Sequence, residues 1–290
     1  MRPSEMRNPK SFELDLMSTE QVLSLINEED QTVPLLVRQA IPEIAQGVEL
    51  LVSSFKTGGR IVHVGAGTSA RLALVDAAEL PPTYGISPER LVNVIAGGRE
   101  AVFQAVEHAE DRGSEAVRQL TQISLCHSDV VIGLTASGTT PFVFAGLDYA
   151  RTVGCPTLLI ACNPSLIEAD VKIIVPTGPE VVTGSTRMKA GMAQRMVLTM
   201  LSTAMAVRLG LVYDNLMVAL GSQNAKCLER GCRIVCTISG ENEEISKEAL
   251  RAADGDVRVA VLLLRTGDLS KARALLEEAE GSLRKALERI

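Results

Sequence analysis

Two short stretches place hydroxyls and glycines where an anion could be held. In "HVGAGTSAR", residues 63–71, Gly65 and Gly67 precede Thr68 and Ser69. In "TASGTTPF", residues 135–142, Ser137, Thr139 and Thr140 surround Gly138, and Pro141 follows. Glycine allows close backbone approach. A helix start offers unpaired N–H groups and a positive dipole end, and proline suits its first turn. Arg71 is the only base in either loop. That composition points to a sugar phosphate held by hydroxyls and amides, rather than to a triphosphate with Mg²⁺. The dinucleotide fingerprint fails because residue 70 is Ala, and no Walker lysine follows. The plainer reading of each loop is a strand–helix turn with a capping hydroxyl.

Three other groups call for a chemical reading. Glu79 precedes Pro81 and Pro82, which predict the end of the helix that starts at the first cradle. The negative pole of that helix opposes a carboxylate there, which suits a proton donor. The two ends of a three-turn helix lie roughly 15 Å apart, so this acid is expected to serve a site in a partner subunit. Glu107, Glu110 and Asp111 cluster on a second predicted helix. By residue type alone they read as a solvated charged face. Cys227, Cys232 and Cys236 lack the C-x-x-C spacing of a zinc site and have no histidine nearby in sequence. They are expected to be buried free thiols, and no metal or cofactor is expected.

The elements that would position these residues alternate along the chain. "RIVHVGAG" (60–67), "RLVNVIAGG" (90–98), "DVVIGLTASG" (129–138), "PTLLIACNP" (156–164) and "VKIIVPTG" (171–178) are nearly continuous in apolar residues. Such runs predict strands buried on both faces. Helical patterns between them predict a parallel sheet with helices on both sides, and ligands beyond the strands' carboxyl ends. A long helix over 34–59, divided at Pro42, is expected before the first strand. Another, over Ser185 to Leu209, is apolar nearly all round, which predicts burial or a subunit interface. After residue 225 the texture changes to short helices separated by glycines. The predicted domains are therefore residues 1–225 and a small helical domain, 226–290.

Composition removes several functions. Of 290 residues, 46% are hydrophobic, 22% charged and 3% aromatic, with no Trp and a net charge of −6. Nucleic acid is a poor partner for that surface. No signal peptide or membrane-spanning run is read, so a cytoplasmic protein is expected.

Beyond these features, the chain resembles the N-acetylmuramic acid 6-phosphate etherase family of sugar-isomerase (SIS) domain enzymes. The resemblance runs from "INEEDQTVP" to the C-terminus and includes "GAGTSARL", "ELPPTYG", "ASGTTP", "CNP", "GPEVVTGSTRMKAG" and "DNLMV". The GPE…GSTRMKAG block is shared with glucokinase regulatory proteins. The resemblance implies an α/β fold: a parallel five-stranded sheet in a flavodoxin-like three-layer sandwich, followed by a small ubiquitin-associated-like helical domain. It implies cleavage of a D-lactyl ether by elimination and then water addition, without metal or cofactor. It also implies a homodimer with the active site near the subunit interface. The family's two catalytic carboxylates fall on Glu79, as proton donor, and Glu110, as base. Substrate and phosphate contacts fall on Gly67, Thr68, Ser69, Ser137, Gly138, Thr139, Thr140, Glu180, Ser185 and Lys189. The chain departs from the family's usual pattern at Ala70, Ala73 and His108, where glycine is usual. It departs also at Ala78, Leu80, Thr139 and Met192, where Ser, Cys, Arg and Thr are usual.

Two other readings compete. One is a sugar-phosphate-binding regulator without turnover, of the glucokinase-regulatory type; the presence of both glutamates and room for only one SIS domain weigh against it. The other is an SIS isomerase acting on ketose and aldose phosphates, which the GPE…MKAG block disfavours.

Overall fold

A computed structural model describes residues 2–220 and 225–290. They gather into two compact units. One comprises Met1–Ala77 with Glu89–Leu201; the other comprises Ala78–Pro88 with Ser202–Ile290. The division expected after residue 225 adjoins residues 221–224, which lie outside the described residues. Among the described residues no helix is long and apolar enough to cross a membrane.

The first unit opens with three short 3-10 turns, Pro3–Glu5, Pro9–Ser11 and Leu14–Leu16. Helix α1 (Thr19–Asp30) starts at a reciprocal cap between Ser18 and Gln21. The long helix expected over 34–59 is two helices, α2 (Val33–Gln39) and α3 (Ile41–Lys56), separated at Ala40. Pro42 lies in the first turn of α3, where its missing N–H costs no hydrogen bond.

Five parallel strands follow, one within each predicted run: β1 (Ile61–Gly65), β2 (Leu91–Ile95), β3 (Val130–Thr135), β4 (Thr157–Ala161) and β5 (Val171–Ile174). Their order is β2-β1-β3-β4-β5. Between them run α4 (Gly67–Tyr84), α5 (Glu100–Phe103), α6 (Gly113–Gln122) and α7 (Pro141–Val153). One sheet face buries Val62, Val64, Val131 and Leu159 against Ala116 and Leu120 of α6 and Phe142, Val143 and Leu147 of α7. Helix α3 covers the other face. It packs closely because Gly47 has no side chain: a Cβ there would come within 2.5 Å of Leu158. Because β1 lies between β2 and β3, the connections leave it on both sides and open a crevice at the strands' carboxyl ends.

Two expected helix boundaries move. Pro81 and Pro82 do not end α4, which continues to Tyr84. Each proline removes one N–H donor, but the Gly85 N–H still reaches the Pro81 carbonyl at 2.9 Å and closes the final turn. Glu79 therefore stands more than a turn before the helix end, where the dipole effect has faded. Helix α8 spans Lys189–Arg208 rather than starting at Ser185. Its start is fixed by Glu180, whose carboxylate accepts the N–H groups of Lys189 and Ala190, each at 3.0 Å. Its inward residues Ala190, Ala193, Val197, Leu198 and Leu201 are buried, as its apolar pattern predicts.

The second unit pairs two short antiparallel strands, β6 (Val212–Tyr213) and β7 (Leu216–Met217), with helices α9 (Ala225–Ser239), α10 (Glu243–Ala252), α11 (Val257–Thr266), α12 (Leu269–Glu278) and α13 (Leu283–Leu287). Asn242, Asp256, Asp268 and Ser282 cap the last four with their side chains. Val235, Leu250, Val257, Ala260, Val261 and Leu262 form its core. The six cysteines form no disulfide. The expectation of buried thiols holds for Cys232 in the C-terminal cluster, whereas Cys227 and Cys236 are half-buried. The turn of α9 carries the three side chains to different depths.

Candidate functional site

A cavity of about 540 Å³ opens at the carboxyl ends of β1 and β3, within the first unit. Five pieces of chain line it, on four walls. Ala66, Gly67, Thr68 and Ser69 come from the turn between β1 and α4. Leu134 to Ser137 and Thr139 to Pro141 come from the turn between β3 and α7. Glu110 and Asp111 form a third wall, and Arg2, Glu5 and Thr186 a fourth.

The β3–α7 turn is a hydroxyl cluster. Thr135 Oγ1 lies 2.8 Å from Thr140 Oγ1 and 3.2 Å from Ser137 Oγ. The Gly138 N–H donates to Thr135 Oγ1 at 3.1 Å, and the Thr139 N–H donates to Ser137 Oγ at 3.3 Å. Pro141 opens α7 as expected. Both helix starts therefore border one space with their Ser and Thr residues, an arrangement suited to a phosphate group. Gly138 itself is not on the lining. It serves from beneath: its φ is +75°, and a Cβ would lie 3.0 Å from the Pro164 carbonyl oxygen. Asn163 Nδ2 holds the same turn through the Ala136 carbonyl at 2.8 Å.

Glu110 sits in a single 3-10 turn, Ala109–Asp111, rather than on a helix, and this turn packs against α7. The turn is entered through His108 at φ +57°. That left-handed conformation favours glycine, so the structure gives the reason for a usual glycine at this position. Arg71 does not serve the cavity. Its guanidinium donates to the carbonyls of Ala101, Val102 and Gln104.

Of the expected site residues, the cavity thus unites Gly67, Thr68, Ser69, Ser137, Thr139, Thr140 and Glu110. Glu79 is exposed and lies outside the lining, in the second unit. Ser185 is likewise outside it, while its neighbour Thr186 is on it. Glu180 and Lys189 are buried in the scaffold. Lys189 Nζ pairs with Glu29 at 2.5 Å, and Glu29 also binds Lys10 at 2.9 Å and Asn8 at 2.9 Å. Burial pushes the Glu29 carboxyl up, but its hydrogen bonds from Lys189, Lys10 and Asn8 outweigh this and hold it below its ordinary 4.5. At Glu180 burial prevails over the two helix amides, and its carboxyl is raised. Arg2, Glu5 and Thr186 were not singled out by sequence, and Asp111 was read only as part of a solvated charged face. Arg2 and Glu5 have no chemical signature of their own, because chain folding alone brings them to the loops.

Residues 43–151 match the family model of the glucokinase regulatory protein N-terminal SIS domain. The solved structure of c3406 from E. coli CFT073, a ligand complex, has a TM-score of 0.51 at 20% identity; the match covers 69% of this chain and 97% of that one. It shows the shared α/β fold. N-acetylmuramic acid 6-phosphate etherases of Yersinia pestis (strain Pestoides F) and Yersinia pseudotuberculosis (serotype O:1b, strain IP 31758) are each 46% identical over 288 residues, with 98% of both chains covered. With the parallel sheet, the paired hydroxyl loops and this match over nearly its whole length, the chain belongs to the N-acetylmuramic acid 6-phosphate etherase family.

Proposed function

We propose that the protein cleaves the D-lactyl ether of N-acetylmuramic acid 6-phosphate, giving N-acetylglucosamine 6-phosphate and D-lactate. The observation that carries this reading is one cavity with a hydroxyl–amide cradle on two walls and the Glu110 carboxylate on a third, in a chain 46% identical to etherases over 98% of its length. The cradle takes the 6-phosphate. Glu110 removes the C2 proton, which the C1 aldehyde of the open-chain sugar acidifies. The C2–H electron pair becomes the C2–C3 double bond, and the C3–O bond breaks. The departing lactate oxygen takes a proton from Glu79. Water then adds at C3, and a proton returns to C2. These steps require no metal or cofactor.

Glu79 lies outside the lining of the cavity, so this reading places it in the site of a second copy, in a homodimer. Phe103, 82% exposed, and Leu166, 94% exposed, are apolar surface that association would cover. The reaction belongs to cell-wall amino sugar recycling in the cytoplasm. Incubation with N-acetylmuramic acid 6-phosphate should release D-lactate. Binding of the sugar phosphate without lactate release would instead favour a non-catalytic regulator of the glucokinase-regulatory type.

A further inference from the structure

Apart from Thr186, the fourth wall of the cavity comes from residues near the start of the sequence. Arg2 and Glu5 line it although they lie more than sixty residues from either hydroxyl loop. The segment is anchored between these two residues and again just after them. Ser4, 1% exposed, donates its N–H to Asn163 Oδ1 at 3.3 Å and accepts from Asn163 Nδ2 at 3.0 Å. The same Asn163 amide also donates to Ala136 in the hydroxyl turn. One buried side chain therefore ties the N-terminal segment to the phosphate loop. Downstream, Asn8 and Lys10 bind Glu29, which pairs with the buried Lys189. The segment is thus a strap held against one wall of the site.

The charges on the lining decide what the strap can do. Arg2 is the only cation among the described lining residues, against three carboxylates, Glu5, Glu110 and Asp111. The hydroxyl and helix-start cradle already suits a phosphate dianion, and a cation beside it strengthens the hold; among the described lining side chains Arg2 alone supplies one. The Glu5 carboxylate makes no hydrogen bond or ion pair among the described residues. A carboxylate repels phosphate, but it accepts strongly from hydroxyl and amide donors such as a sugar carries.

We propose that the strap is a substrate-recognition wall in which Arg2 serves the phosphate and Glu5 accepts hydrogen bonds from the sugar. This inference rests on the sugar-phosphate reading of the cavity. Neither residue has a part in the bond-breaking steps.

The test is isothermal titration of the wild type, Arg2→Ala and Glu5→Ala with two probes, inorganic phosphate and N-acetylglucosamine 6-phosphate. Arg2→Ala should weaken both probes by a similar factor, about tenfold or more. Glu5→Ala should weaken only the sugar phosphate, by about tenfold or more, with phosphate binding unchanged or tightened by the loss of a negative charge. Unchanged melting temperatures separate recognition from a loss of fold. Binding of both probes by both variants as in the wild type would overturn the proposal. So would equal loss of both probes in Glu5→Ala, which would make that residue merely structural. A wild type that binds neither probe would overturn the sugar-phosphate reading itself.

Discussion

Ser137 Oγ stands at the centre of the hydroxyl turn, within 3.4 Å of Thr140 Oγ1 and receiving the Thr139 N–H. Its removal takes one donor from a bound anion, an interaction worth ~1.5–3 kcal/mol. Ser137→Ala should therefore raise KM for the phosphorylated substrate by roughly 10- to 100-fold with little change in kcat. An unchanged KM would reduce the loop to a turn. The two glutamates separate by a different measurement. Only the base touches carbon, so Glu110→Gln should lose both lactate release and exchange of the C2 hydrogen of N-acetylglucosamine 6-phosphate in heavy water. Glu79→Gln should lose lactate release but retain the exchange. Each lost function should cost ~10²–10⁴ in rate, and proton NMR of the C2 signal reads the difference. Exchange in the Glu110 variant and none in the Glu79 variant would reverse the roles.

At the scale of elements, the phosphate loop depends on a backbone that only glycine accepts comfortably. Gly138 combines φ +75° with a backbone oxygen 3.0 Å from where a Cβ would stand. Gly138→Ala should destabilise the protein by about 1–3 kcal/mol and weaken phosphate binding, because relief of the strain must move the Ser137 and Thr139 donors. Thermal unfolding and KM measured together check this. At Gly67, also at positive φ, a Cβ would meet nothing within 4 Å, so strain there is conformational alone. The start of α8 shows a different device. Its two terminal amides end on a buried carboxylate, Glu180, which sits nine residues before its first partner. The GPE…MKAG block thus contributes to the cradle through Thr186 while its Glu and Lys hold the scaffold.

At the scale of the whole molecule, pH acts through buried ion pairs. Asp129, 1% exposed, binds the Arg60 guanidinium at 2.6 Å and 3.1 Å and accepts N–H groups from Arg60 and Cys126. Burial pushes its carboxyl up, but these partners hold it below its ordinary 3.8. A carboxyl lowered in the folded state stabilises the fold above its unfolded value and loses that contribution as pH falls through the folded value. Asp129→Asn should cost about 3 kcal/mol at neutral pH. The gap to the wild type should narrow as pH falls below 3.8. A gap constant down to pH ~2 would show that the charge carries none of it. Light scattering at micromolar concentration should give about twice the 31.0 kDa chain mass. A monomer with full activity would defeat a site completed by Glu79 of a second copy.

The sequence alone determined whatever depends on neighbouring residues. The central strands β1, β3 and β4 are legible because burial on both faces demands continuous apolar runs. The edge strands β2 and β5 are apolar too though only partly buried, and the loops are legible because glycine, hydroxyl and proline act on their own local backbone. Ser18, Asn242, Asp256, Asp268 and Ser282 were equally local caps. The family resemblance supplied Glu110, which by residue type alone reads as surface charge. Tertiary structure decided the rest. It let α4 run through Pro81 and Pro82, since one closing hydrogen bond at Gly85 suffices. It turned Lys189 into buried scaffold by placing Glu29 against it, and Glu180 by setting the start of α8 on its carboxylate. It brought Arg2 and Glu5 to the phosphate loops through Asn163, a contact spanning 159 residues from Ser4. No local rule encodes such a contact, because its partners meet only after the sheet has assembled.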